Sequence, residues 1–338
     1  MEFSHERDVP RLKELAAKSI HIGTSSWIYE GWLGKVYKGD YSGPRSAVNK
    51  KRFETECLVE HSEIFPTVCF DGSYYRFPEP KKLLQYKEQI ANGSSMGFKV
   101  TQDVTLRESV DYKSKQKYPN EGYLQPKLFE ERFLRPVAEA MGEKLGPMIF
   151  EFSPFFFGRG HGQLDYTPLQ FVKDLHSFLE PLPKNEGFMY AVEVRDPQLI
   201  TFERYYDCLE HHGVAHVLNQ QTWVPTIAEQ LNTPNVFPAP HTVIRALVRP
   251  GVKHNEAVDE FQPYDRTQLD MPEMREAIAE TARMSLAANR KLYAFINNRT
   301  EGNAPNTIAG ILALLYPENE QHGTNTKRIR NDGRDGDE

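Results

Sequence analysis

Six ionisable residues stand inside or at the end of short apolar runs: Asp71, Lys99, Glu151, Glu193, Arg195 and Arg245. A charge in such a run costs several kcal/mol unless an opposite charge meets it. Three acids and three bases spread over five segments therefore predict one shared polar pocket. Glu193 is the candidate general acid or base, Glu151 its partner, and Asp71 a third carboxylate. Two carboxylates held close push one pKa upward, which is the condition for proton transfer. Arg195, Arg245 and Arg76 offer planar guanidinium forks that suit phosphate or carboxylate, and Lys99 adds a point charge. Trp27 and Tyr75 offer ring faces for stacking. Asn297 and Asn298 offer amides that could orient a bound group. Each assignment has a plainer alternative. The cations would simply neutralise the acids and close a barrel end, and the aromatics would pack within loops.

The direction of these side chains follows from strand parity, since successive residues of a strand face opposite sides. In FMYAVEV, Tyr190, Val192 and Val194 suit the helix side, which turns Ala191, Glu193 and Arg195 inward. The same alternation turns Lys99 inward between Phe98 and Val100, and Glu151 between Phe150 and Phe152. Arg245 turns inward between Ile244 and Ala246, and Cys69 and Asp71 oppose Val68 and Phe70.

Eight short β-like runs carry or flank these residues: 20–25, 66–72, 96–101, 147–152, 188–194, 214–219, 241–247 and 291–297. Most are followed by a stretch of helical pattern; the stretch after the sixth run, VPTIAEQL, is weak. Strands alternating with helices predict βαβ units and a parallel sheet, and eight such units predict an α/β (β/α)8 TIM-type barrel of one domain. An open doubly wound sheet is the alternative, disfavoured because no GxGxxG follows the first run. The expected boundaries are an N-terminal extension over 1–19, the barrel over 20–316 and a disordered polar tail over 317–338. Two long connections, 102–125 and 248–270, follow strands and should lie at the active face of a barrel.

Five segments, IHIGTSSWIYEGWLGKVY, SYYRFP, GPMIFEFSPFF, YAVEVRD and LYAFINNRTEGNAPNTI, together resemble the motifs of the YecE-like family, a domain of unknown function. The resemblance runs from about Ile20 to Leu315 and implies a TIM-type barrel. It carries over Glu193, Arg195, Arg245, Asn297 and Asn298. Several family positions differ. Cys69, Phe70 and Asp71 stand where the family has Glu-Ile-Asn, and Thr105-Leu106 replaces Thr-His. Glu151 replaces Gln, Asp196 replaces His, Asn219 replaces Asp, and Ala246-Leu247-Val248 replaces Leu-His-Gly. The resemblance therefore implies a divergent branch.

Composition bounds the rest. The chain has 338 residues and a net charge of -6, which gives no global signal for nucleic acid or an anionic membrane. No apolar run approaches a membrane span, and the start lacks a secretory h-region. The three cysteines are too scattered for a disulfide framework or a zinc motif. A reduced, cytoplasmic protein is expected. The eleven histidines form no HExxH, and no metal ligand set is assigned. His161, His211, His212, His254 and His322 read as surface or loop residues, and His216 as a core or inner-wall residue. The cofactor is left open, with a divalent ion on Asp71 and Glu151 as one alternative. The expected function is a hydrolase or lyase acting on a small anionic, phosphate-bearing or nucleic-acid-derived substrate. Its alternative is a non-catalytic small-molecule-binding barrel that has lost family catalytic residues. Oligomeric state is not readable.

Overall fold

A computed structural model of the chain describes residues 1–317, apart from 45–46, 112, 115, 156, 158–165, 185, 253–255 and 257–259. His161, His254, His322 and the polar tail from 318 onward lie outside the described residues. Eight strands, all parallel, close into a barrel: β1 (Ile20–Ser25), β2 (Thr67–Phe70), β3 (Ser95–Lys99), β6 (Leu145–Phe152), β7 (Tyr190–Val194), β8 (Ala215–Gln220), β9 (His241–Ala246) and β10 (Lys291–Ile296). Their order around the barrel is β1-β10-β9-β8-β7-β6-β3-β2. The TIM-type barrel expected from the alternation of runs is the fold found.

Strand parity separates two apolar cores. Outward residues such as Ile22, Val68, Phe98, Phe150, Val192 and Ile244 join the layer between strands and helices. Inward residues Cys69, Ile149, Ala191, Val217, Val243 and Phe295 pack with one another inside the barrel. Gly97 makes room for that plug, since a Cβ there would come within 2.8 Å of the Phe295 ring. The lumen is therefore a packed floor, and the inward charges lie above it at the carboxyl ends of the strands.

Helices cover the outside. Helices Pro80–Gln89, Pro168–Leu179 and Pro272–Ala287 each begin with proline, whose fixed φ suits a first turn and whose missing N–H is not needed there. Helix Glu203–His212 ends at Gly213, with φ of 65° in the left-handed region that glycine adopts without a Cβ clash. The long helical stretch from Pro126 to Met141 is interrupted. It runs Pro126–Phe129, then one wide π turn over Glu130–Leu134, then Arg135–Met141. Pro136 cannot donate to the ladder, which accounts for the disturbed turn. The weak VPTIAEQL pattern yields a single turn, Ile227–Gln230, closed by a capping box between Thr226 and Glu229.

The connection over 102–125 is more ordered than a loop. It holds a short helix, Gln102–Thr105, and an antiparallel hairpin of β4 (Glu108–Val110) and β5 (Lys117–Pro119). The connection over 248–270 is only partly described. At the N-terminus, helix His5–Ala17 buries Leu12 and Leu15 in the outer core, and the Phe3 amide donates to Asn306 Oδ1 at 3.0 Å.

Candidate ligand site at the barrel mouth

The inward residues at the carboxyl ends of the strands form one continuous ionic network. β6 and β7 pair in register at Glu151 and Glu193, so two carboxylates stand side by side on neighbouring strands. Unaided, they would repel each other. Two arginines straddle the pair. Arg195 Nε donates to Glu193 Oε1 at 3.0 Å, and its Nη2 donates to Glu151 Oε2 at 2.5 Å. Arg245 Nη1 donates to Glu193 Oε2 at 2.6 Å and lies 3.3 Å from Glu151 Oε2. Arg245 Nη2 donates to Asp71 Oδ1 at 2.6 Å, and Lys99 Nζ meets Glu151 Oε2 at 2.5 Å. All six residues singled out by parity therefore meet. The network balances three negative against three positive charges.

Burial grades from the centre outward. The side chains of Glu193, Glu151 and Arg245 are at most 2% exposed, whereas Arg195 is 24% and Asp71 35% exposed. Burial alone would raise the pKa of Glu193, but Arg245, Arg195 and Lys99 outweigh it and hold the carboxyl down to about 2. Burial likewise opposes the charge on Arg195 and Arg245, and the surrounding carboxylates overcome it in both. The paired acids thus do not produce the raised pKa expected for Glu193. The reason is geometric: both of its oxygens are taken by guanidinium nitrogens. A carboxylate so held is a poor proton donor at neutral pH.

Asp71 and Arg195 form the rim. Among the described residues, no hydrogen bond reaches Asp71 Oδ2 or comes from Arg195 Nη1. Lys99 Nζ also lies 3.7 Å from the centre of the Tyr74 ring, a cation–π contact. Several buried polar atoms at this end of the strands take no partner among the described residues, namely Ser25 Oγ, Asn219 Oδ1, Arg245 Nε and Asn298 Nδ2. Asn219 is in register with Arg245, and its Nδ2 donates to Val194 O at 3.1 Å.

Other expected site residues do not join this group. Trp27 is 3% exposed and packs against Phe70 and Tyr86 in the outer core, so no ring face is left for stacking. Arg76 lines a separate cavity of about 140 Å³ with Phe77, Lys82 and Tyr86. Tyr75 is 71% exposed and touches Tyr74 edge-on. The amide oxygens of Asn297 and Asn298 accept from the backbone of Arg299 and Ala304, at 3.0 and 2.8 Å, and so shape the turn after β10. His216, which is not a site candidate, is a core residue as one of its two readings has it: 1% exposed, it faces the helices, where Tyr205 and Gln230 bond it.

Sequence reasoning missed two groups near the rim, Tyr29 and Arg299. Burial pushes the Tyr29 hydroxyl up to about 12; Arg299 opposes this and Asp71 adds to it. Arg299 follows two residues after Asn297 in the closing motif, a signal that would have found it.

No helix among the described residues is long and apolar enough to cross a membrane. Comparison with curated proteins gives no significant match. Solved structures of DUF72 family proteins share the fold. One from Thermotoga maritima is 18% identical with a TM-score of 0.55, covering 88% of this chain and 97% of its own. One from Enterococcus faecalis is 16% identical with a TM-score of 0.55, covering 88% and 95%. A family model described as "Protein of unknown function DUF72" matches residues 21–331. The chain therefore belongs to the DUF72 family, the YecE-like barrels whose motifs it carries.

Proposed function

We propose that this barrel binds a small anionic molecule at its mouth, on Arg195 and Lys99, over a buried support made by Glu151, Glu193 and Arg245. The observation that carries this reading is the graded burial of the network. Its most buried acid is fixed in the ionised state, while one guanidinium nitrogen of Arg195 points no hydrogen bond at any described residue. A guanidinium held in place by two carboxylates is pre-organised, so little entropy is lost when it meets an anion. The buried, free thiols of Cys57, Cys69 and Cys208 suit a reducing compartment, which supports a cytoplasmic setting.

A second reading, hydrolase or lyase chemistry, is favoured by Asp71 alone. Its carboxylate is the exposed acid of the network and keeps one oxygen unbonded among the described residues. In that reading Asp71, and not Glu193, moves the proton.

Calorimetric titration with inorganic phosphate, a phosphorylated sugar and a nucleoside monophosphate tests both. At least one probe should bind, and Arg195→Lys should weaken it about tenfold or more, the loss of one charge-assisted hydrogen bond. Equal affinity in Arg195→Lys, or no binding by any probe, would contradict the proposal. Turnover of a bound phosphate ester that disappears in Asp71→Asn, with affinity retained, selects the catalytic reading.

A further inference from the structure

Three histidines and a cysteine meet on the outer face of the barrel, on two covering helices and not at the strand ends that carry the ionic network. Helix Glu203–His212 places Cys208 and His212 four residues apart, on one face. Helix Pro168–Leu179 packs beside it and places His176 opposite them. One ring nitrogen of His176, Cys208 Sγ and one ring nitrogen of His212 lie within 4.8 Å of one another. Cys208 and His212 are buried, and His176 is exposed, so the cluster has a protein side and an open side.

The hydrogen bonds fix the protons. Lys184 Nζ lies 3.0 Å from His212 Nδ1, and an ammonium can only donate. His212 Nδ1 is thus the acceptor of that bond, and the ring carries no proton there. Its single proton is therefore on Nε2, donated to His176 Nδ1 at 2.9 Å. Glu180 Oε2 waits 3.6 Å from His212 Nδ1 and 3.6 Å from Lys184.

We propose that His176, Cys208 and His212 bind a zinc-class divalent ion, with solvent as the fourth ligand. Two imidazoles and a thiolate suit borderline-soft metals, and one open position is the pattern of a three-ligand site. Three bonds form, from the ion to His176 Nδ1, His212 Nε2 and Cys208 Sγ. The thiol proton leaves to solvent, and the His212 proton moves from Nε2 to Nδ1. There it donates to Glu180 as Lys184 turns away, giving the carboxylate–histidine–metal chain that orients such ligands. One proton is released per ion bound. The second grouping, Glu180, His211 and His212, is disfavoured because it offers no thiolate and two of its three residues are exposed.

The test uses the full chain stripped with a chelator and titrated with Co²⁺ and then Zn²⁺. One equivalent of Co²⁺ should produce a thiolate-to-cobalt charge-transfer band that Zn²⁺ removes. Cys208→Ser should abolish that band, while Cys57→Ser and Asp71→Asn leave it unchanged. His176→Ala, at an exposed position that the fold tolerates, should weaken Co²⁺ binding tenfold or more with an unaltered circular dichroism spectrum. Absence of the band, its survival in Cys208→Ser, or unchanged affinity in His176→Ala would overturn the proposal.

Discussion

Arg245→Leu should lower the stability of the folded chain by about 3–5 kcal/mol at pH 7, the usual cost of removing one partner from a buried ionic group. Arg245 is 1% exposed and is the only residue of the network that reaches all three acids. Without it, Asp71, Glu151 and Glu193 face only Lys99 and Arg195, and one buried negative charge is left over. Leucine restores part of the lost volume but none of the charge. The deficit should shrink in acid, because the stranded carboxylates then take up protons. Urea unfolding at pH 7 and near pH 4 checks both points. A variant within about 1 kcal/mol of the parent at pH 7 would mean that the guanidinium contributes nothing net.

Glu193→Gln should cost about 3 kcal/mol at neutral pH, and the cost should be pH-dependent in a stated direction. The carboxyl is lowered from its ordinary 4.5 to about 2 by Arg245, Arg195 and Lys99, against the opposing effect of burial. A folded-state pKa below the unfolded one stabilises the folded chain above the unfolded pKa. That stabilisation, on the order of 3 kcal/mol, is fully present above about pH 4.5 and is lost as pH falls toward about 2. Glutamine cannot ionise, so the variant should lack this part of the acid loss. The two stability curves should converge between about pH 4.5 and 2. Parallel curves across that window would show that Glu193 is not held by the arginines. Glu193 is the candidate acid or base of the sequence, but the geometry makes Glu193→Gln first a stability probe, so any activity it loses must be measured on protein shown to be folded.

The six ionic residues were legible because each sits within or next to a strand, where alternation leaves only two directions. Apolar neighbours such as Phe150 and Phe152 fix one direction and so fix Glu151 in the other. The fold was legible for the same reason, repeated eight times. Legibility ended where the strand period ended. Trp27, Tyr75, Arg76, Asn297 and Asn298 all lie beyond strand ends, where local turns and loop packing decide orientation. Trp27 is drawn into the outer core by Phe70 and Tyr86, and the two asparagines are drawn into the turn after β10. The protonation of Glu193 was not legible either. Two adjacent acids suggest a raised pKa, and only the straddling of both by Arg195 and Arg245 reverses that. The histidine cluster divides in the same way. Its four-residue spacing is visible within one helix, but the phase between Pro168–Leu179 and Glu203–His212 is a property of packing.

Carboxyl-carbon NMR, with Glu193 assigned through Glu193→Gln, measures the central feature directly. Its resonance should stay at the ionised position from neutral pH downward and move only near pH 2. A midpoint at or above about 4.5 would mean that the acid is not clasped by two guanidinium groups, and the ligand site built upon it would lose its foundation.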